Sequence, residues 1–275
     1  MSKLNKDQQN EFLKCATDFP YFCKTYIKVN GNQPFQLYPY QERLYNHIED
    51  NRYTIFSKFR QGGFTIELAI YSLWRCLFRE DQKLCFTATS DREACRISDI
   101  IKRAAQDLPD WMSDDIKLIN DHKKLFPETN GSIHFYDIKV ATKELNGVNT
   151  LIIDEASFVD MDANWRAIWP VLSANNSRVI VYSSAHHIQD WFWRTLTDAL
   201  NNKNKFTVYE CDIDEHPEFC CPTWQESMKI TIGKKGWLAE YEQNALNPDE
   251  KKAVEERAKS EIRSLFDDWE QTKKE

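Results

Sequence analysis

Glycine is scarce in this chain, with seven residues in 275. The adjacent pair Gly62-Gly63 therefore stands out, since glycine marks positive φ or close backbone approach. Long apolar runs are missing too. None approaches the roughly 18 residues of a membrane span, so no membrane association is expected. The opening stretch MSKLNKDQQNEF has no apolar leader, which points to the cytoplasm. Eight cysteines occur without one CxxC pair, a pattern of reduced, mostly buried thiols rather than a disulfide framework. Cys211, His216, Cys220 and Cys221 can be drawn as a zinc set, but their spacing matches no common one. Basic charge is also short. A net charge of −7 excludes a chain coated in positive charge for passive nucleic-acid binding. It leaves room for a local basic face and transient DNA contact.

What is present fits a globular protein: 41% hydrophobic and 29% charged residues, enough for one large domain or a domain with an appendage. A polar helix is expected over about residues 5–18. The segment 33–51 reads as a helix starting at Pro39, with Leu44, Tyr45 and Ile48 on one face. Apolar strands and helices then alternate. The strands are RYTIFSKF, KLCFTATS, TLIIDE, RVIVYSSA and KFTVYECDI. The intervening helices are TIELAIYSLWRCLFR, DREACRISDIIKRAAQDL, ANWRAIWPVLS and DWFWRTLTDALNN. Residues 123–138 read as a hairpin turning at Asn130-Gly131. This pattern predicts an α/β fold with a mostly parallel sheet covered by helices on both faces. Ligands in such sheets bind beyond the carboxyl ends of strands. From about Asn247, Val254, Ala258, Ile262, Leu265, Phe266 and Trp269 recur at helical spacing. That marks an amphipathic helix, either packed on its own domain or serving as a linker toward another.

Three strand ends carry candidate chemistry. In TIFSKFRQGGFTIEL, a strand, a tight glycine turn and a helix start can place backbone N–H groups around an anion. Thr65 stands where a Walker A loop binds Mg2+. Phe64 stands where that loop has its lysine, and Phe64 cannot neutralise a phosphate. Lys58 and Arg60 can, by folding back over the loop. An ordinary strand-turn-helix corner is the competing reading. In TLIIDEASF, Asp154 is placed to hold Mg2+ and Glu155 to activate water as general base, as in a Walker B strand. A strand ending in two solvated acids is the alternative. In VIVYSSAHH, Ser183 and Ser184 either sense a γ-phosphate or cap the next helix. Gln41, in YPYQERL, can read adenine through its amide, with Tyr38 or Tyr40 packing on the base, or be a plain helix glutamine.

Taken in order, YPYQ, KFRQGGFT, LIIDEASF and VIVYSSA resemble the ATPase domain of the phage terminase large subunit, a DNA-packaging motor. KKGWLAEYEQNAL resembles the segment that closes that domain. The resemblance covers roughly residues 34–246 and implies an additional-strand P-loop (ASCE) ATPase, with 1–33 as an N-terminal helical segment and 247–275 as a C-terminal helix or linker. It implies ATP and Mg2+ as ligands. The implied partners are double-stranded DNA held transiently and non-specifically, a portal protein and a small terminase subunit. A ring of identical subunits forms when assembled, with a monomer possible alone, at the prohead in the host cytoplasm. By position, Gln41 matches the adenine-reading glutamine. Lys58, Arg60, Gln61, Gly62, Gly63, Phe64 and Thr65 fall on the deviant Walker A loop, whose lysine can move to its start. Asp154 and Glu155 match Walker B and the catalytic glutamate. Ser183, Ser184 and Ala185 match the motif that couples hydrolysis to DNA movement.

Two departures stand out besides Phe64. Asn146-Gly147 lies where many members have Arg-Gly, a candidate for an arginine acting on a neighbouring subunit; Lys139 or Lys143 could replace it. Only about 70 residues follow the last sheet strand, too few for an RNase H-like nuclease domain. Nuclease activity is therefore not expected, and Asp212, Asp214 and Glu215 read as the polar exit of a strand. The expected mechanism has ATP on the loop at 58–65, Mg2+ held by Thr65 and Asp154, and charge neutralised by Lys58 and Arg60. Glu155 activates water, and Ser183 and Ser184 report to the next helix. Two alternatives remain: a helicase-like ATPase, and a non-hydrolysing paralogue with a regulatory or structural role.

Overall fold

A computed structural model of the chain describes residues 4–29, 31–184 and 190–242. Its N-terminal part is helical. The helix expected over about 5–18 is α1 (Lys6–Thr17), and a second helix, α2 (Phe19–Tyr26), follows it at Asp18, whose carboxylate accepts from the Tyr21 N–H and caps α2. A short hairpin, β1 (Lys28–Val29) and β2 (Gln33–Pro34), leads to α3 (Pro39–Asp50), which does start at Pro39. The first core strand, β3 (Tyr53–Ser57), is buried at every position. It feeds α4 (Phe64–Phe78), which is buried almost all round. That follows from its place between the sheet and α1, α2 and α3, where no face meets water.

The chain continues through β4 (Lys83–Ala88), α5 (Asp91–Asp107) and α6 (Asp110–Ser113). It then forms β5 (Lys117–Asn120), β6 (Lys123–Phe126), β7 (Gly131–Asp137) and α7 (Ile138–Glu144). The hairpin of β6 and β7 turns through Asn130, which has a φ of 53°. Next come β8 (Thr150–Asp154), α8 (Met161–Ala174), β9 (Arg178–Ser183), α9 (Trp191–Leu200), β10 (Thr207–Val208) and α10 (Pro222–Glu240). α10 is two helical stretches meeting at Gly233, where φ is 73°.

Eight strands form one sheet in the order β10-β3-β9-β8-β4-β7-β6-β5. β10 through β7 run parallel, and β6 and β5 extend the edge antiparallel. Alternate side chains of each strand enter two separate cores. Phe56, Phe86, Ile152, Ile180 and Tyr182 face the layer of α1 to α5, while Ile55, Cys85, Leu151, Ile153, Val179 and Val181 face α7, α8 and α9. This is the predicted α/β architecture.

Two expectations change in detail. The last strand shrinks to two residues, because the segment after it turns into a single 3-10 turn at Ile213–Glu215. That turn is closed reciprocally by the Asp212 and Glu215 side chains, and Glu215 also pairs with Arg43 at 2.6 Å; these acids form a structural cap. β5 was not anticipated, because its sequence KLIN is short and mostly exposed. The amphipathic segment from Asn247 and the coupling residue Ala185 lie outside the described residues.

Candidate functional site

The carboxyl ends of β3, β9 and β8 lie side by side: Ser57 pairs with Ser183, and Asp154 with Tyr182. Three motifs far apart in sequence thereby share one edge of the sheet.

The loop from β3 to α4 is shaped by backbone that most residues avoid. Gln61 has a φ of 61° and Gly63 of 77°, and Gly63 caps α4 from the left-handed region. A Cβ on Gly62 would lie 2.5 Å from the Phe64 ring and 2.6 Å from the Phe59 ring, so the position admits only glycine. No described residue accepts from the backbone N–H groups of Gln61 to Thr65. Those donors, at the positive end of a helix, form a cradle for an anion.

Phe64 resolves one oddity of the sequence. Its side chain is 2% exposed and packs against the rings of Tyr40, Phe56 and Phe59, at centroid distances of 5.5, 5.4 and 5.4 Å. The side chain is an anchor of the core, and only its backbone belongs to the loop.

The charge absent at position 64 sits at Lys58. Its backbone N–H donates to the Ser183 carbonyl at 2.9 Å, which fixes the strand ends together. Its Nζ lies 2.6 Å from Glu155 Oε1, both side chains being largely buried. The other Glu155 oxygen accepts from Ser183 Oγ at 3.2 Å, from the Ser184 N–H at 3.3 Å and from Ser184 Oγ at 3.4 Å. Glu155 itself adopts a left-handed φ of 51°. For a non-glycine residue this costs about 1–2 kcal/mol and is held by the surrounding contacts. Ser183 Oγ in turn accepts from the Ser157 N–H at 3.1 Å, so β9 and the turn after β8 are tied through one hydroxyl.

Beside this pair lies a second oxygen cluster. Tyr182 OH donates to Thr65 Oγ1 at 3.3 Å, and Thr65 Oγ1 donates to Asp154 Oδ2 at 3.2 Å. Asp154 Oδ1 is buried without a partner. Burial, with the neighbouring Glu155 charge adding to it, pushes the Asp154 carboxyl up to about 7, against the opposing pull of Lys58 and the Thr65 hydroxyl. An orphaned buried carboxylate oxygen next to a hydroxyl is a hard-oxygen donor set that fits a Mg2+ ion.

The other expected site residues lie outside this oxygen cluster. Arg60 is not brought to the cluster: its backbone N–H donates to the Glu240 carbonyl at 2.9 Å, and its guanidinium lies 3.3 Å from the Glu240 carboxylate. Gln41 is 1% exposed. Its Oε1 accepts from the Tyr38 N–H at 2.9 Å, and its Nε2 reaches the Gly62 carbonyl at 3.5 Å. Tyr40 OH donates to that same carbonyl at 2.8 Å from a fully buried position. In this conformation both residues brace the loop from below. Tyr38, half-buried, stacks on Tyr40. Asn146-Gly147 precedes β8, at the sheet edge opposite Asp154, and its Asn146 carbonyl accepts from Lys83 Nζ. Lys139, in the first turn of α7 after the carboxyl end of β7, shares the site's edge; Lys143 lies a turn farther down.

Among the described residues, Cys211, His216, Cys220 and Cys221 form no metal-ligand group. His216 Nδ1 instead accepts from the Glu218 N–H, and its ring stacks on Phe219 at 3.9 Å. The residues that sequence reasoning passed over are Tyr182 and Glu240. Tyr182 carried a faint signal, an aromatic on the core-facing register of β9 just before the serine pair.

No protein-family model matches the chain. Among solved structures, the chain is similar to the HK97 bacteriophage large terminase, with a TM-score of 0.69 and 18% identity, over 83% of this chain and 55% of that one. It is similar to the large terminase ATPase domain of Thermus phage P74-26, with a TM-score of 0.57 and 15% identity, over 75% of this chain and 93% of that one. It is also similar to a thermophilic bacteriophage's large terminase in complex with ATP-gamma-S, with a TM-score of 0.58 and 12% identity, over 76% and 53%. The chain thus spans about half the length of the full large terminases. The fold is that of the large terminase ATPase domains.

Proposed function

We propose that this chain is the ATPase of a viral DNA-packaging motor, hydrolysing ATP to move double-stranded DNA. One observation carries the proposal. Lys58, Thr65, Asp154, Glu155, Ser183 and Ser184 converge at three adjacent strand ends, beside a glycine loop with free N–H groups, in the large-terminase ATPase fold.

In the proposed cycle the triphosphate occupies the cradle of residues 58–65. Lys58, now paired with Glu155, is the cation positioned to turn to the β- and γ-phosphates, where fixed charges supply most of the catalysis. Turning away releases Glu155 Oε1. Ser183 and Ser184 keep hold of Oε2 and so hold the carboxylate's orientation. Glu155 then takes a proton from the attacking water as its oxygen bonds to the γ-phosphorus and the bond to the β-phosphate oxygen breaks. Thr65 and Asp154 would hold Mg2+, which supplies positive charge to the phosphates. In this cycle Ser183, which bonds Glu155 and the turn after β8, registers a change at the phosphates and passes it toward α9. Arg60 serves in this proposal as the tie between the loop and Glu240, and Gln41 as a brace beneath the loop.

We take residues 34–246 as the ATPase unit, with the helical segment 1–33 before it and 247–275 as a helix or linker after it. We assign the described residues no nuclease role. DNA contact of a translocating motor is weak and sequence-independent, and assembly into a ring on a portal with a small terminase subunit completes the proposal. The test is ATP turnover at high protein concentration with and without duplex DNA. Turnover stimulated by duplex, lost in Glu155→Gln and unaccompanied by strand separation, supports the reading. Equal rates in wild type and Glu155→Gln, or unwinding of the duplex, overturn it.

A further inference from the structure

A second group of ligating side chains converges on the antiparallel side of the sheet. Asp91 and Cys95, both in the first half of α5, are four residues apart and therefore share one face of that helix. The tight turn from β5 to β6 carries His122 to that face, with the His122 N–H donating to Asn120 Oδ1 at 2.9 Å. One Asp91 carboxylate oxygen, Cys95 Sγ and one imidazole nitrogen of His122 all lie within 4.8 Å of one another. Asp91 Oδ1 and His122 Nδ1 are 3.6 Å apart.

Those spacings have a chemical meaning. A tetrahedral zinc ion holds its nitrogen and oxygen ligands about 3.4 Å apart and its sulfur about 3.6 Å from either. The Asp91–His122 pair is already near that separation. The sulfur closes the set by about 1 Å of side-chain rotation, open to it because none of the three residues is fully buried. The same His122 Nδ1 also lies 3.2 Å from the Phe135 carbonyl, a contact it gives up on turning its lone pair to zinc, while the ring keeps its place stacked on Tyr136. Asp91, Asp121 and Asp99 make the field at Cys95 negative, with Lys124 in partial opposition. Lys124's own amine is engaged by the Asn120 carbonyl.

We propose that Asp91, Cys95 and His122 bind a zinc ion, with water as the fourth ligand, which clasps the β5–β6 turn to the first turns of α5. A thiolate and an imidazole favour zinc over magnesium or calcium, which take oxygen ligands. Binding displaces the thiol proton to solvent, so affinity rises with pH. The inference is independent of the nucleotide reading, since none of its residues touches the loop at 58–65.

The test uses Co2+ as a spectroscopic probe on the full chain carrying Cys220→Ser and Cys221→Ser, which removes the two exposed thiols. The expected result is one equivalent of Co2+ with a thiolate-to-cobalt charge-transfer band, displaced by Zn2+. The band disappears in Cys95→Ser. His122→Ala weakens binding by at least about 10–100-fold, the range seen when even an outer-shell partner of a metal site is lost. Zn2+ should also raise the melting temperature of the Cys220→Ser, Cys221→Ser chain and not that of the Cys95→Ser variant. A band that survives Cys95→Ser overturns the proposal, and so does the lack of both band and Zn2+ stabilisation.

Discussion

Replacing Phe64 with lysine restores, on paper, the residue that a standard phosphate loop carries at that position. The structure predicts that the substitution damages the protein and repairs nothing. The Phe64 ring is 2% exposed and sits among Tyr40, Phe56 and Phe59. Losing a buried phenylalanine costs about 3–5 kcal/mol. The lysine stem recovers part of that packing, but its ammonium must then be desolvated or forced out through the loop. A net loss of about 4 kcal/mol is a large share of the roughly 5–15 kcal/mol that holds a domain together. At about 2–4 °C per kcal/mol it lowers the melting temperature by about 8–16 °C. The assay is thermal and urea unfolding of Phe64→Lys, followed by ATP turnover of the double variant Lys58→Ala with Phe64→Lys. The double variant should stay as inactive as Lys58→Ala alone. A Phe64→Lys protein of wild-type stability that rescues Lys58→Ala would refute the reasoning. It would mean that position 64 faces the phosphates after all.

Two further outcomes follow from named contacts. Gly62→Ala drives a Cβ to 2.5 Å from the Phe64 ring; overpacking of this kind costs about 1–3 kcal/mol. It should weaken binding of a fluorescent ATP analogue more than Gly31→Ala, where the left-handed φ of 76° strains an alanine but a Cβ meets nothing within 4 Å. His134 responds to pH. Burial, and then the charges of Lys83 and Lys123, lower its pKa from 6.5 to about 4. Because the folded value lies below the unfolded one, the unfolded chain binds the extra proton. The stability that neutral His134 contributes is full above about pH 6.5 and is lost as pH falls toward 4. The loss is about 3 kcal/mol by that interval alone, and about 1–2 kcal/mol after discounting for partial exposure. Urea midpoints measured across that range should fall less in His134→Gln.

How far the sequence disclosed this arrangement depends on the kind of feature. Strands buried on both faces must be apolar throughout, so β3, β4, β8 and β9 were legible, and their polar ends marked the site edge. The positions of Asp154 and Glu155 were legible for the same reason, standing at and just after the end of β8, and that of Thr65 from the helix start after the glycine turn. The direction of Phe64 was not, because it depends on where α4 starts its first turn, which only the left-handed Gly63 determines. Lys58 and Arg60 looked equivalent as long side chains on one loop. Packing separates them, since Lys58 continues β3 into the interior while Arg60 points to Glu240. Gln41 had the residue type for reading a base, but a buried amide takes the nearest partners, here the Tyr38 N–H and the Gly62 carbonyl. The Asp91, Cys95 and His122 group joins a helix to a distant hairpin turn, and no local spacing reveals such a contact.

Duplex-dependent ATP turnover of wild type, Lys58→Ala and Arg60→Ala, compared side by side, puts the displaced-lysine mechanism to its most direct trial. Lys58 reaches the Glu155 carboxylate at 2.6 Å, whereas Arg60 is largely exposed and paired with Glu240. Losing a charge clamp of this kind costs about 100–1,000-fold in rate. Lys58→Ala should fall by that much, and Arg60→Ala should stay within about 10-fold of wild type, the loss of one exposed ion pair being worth at most about 1 kcal/mol. Unchanged turnover in Lys58→Ala, or a larger loss in Arg60→Ala than in Lys58→Ala, would contradict it.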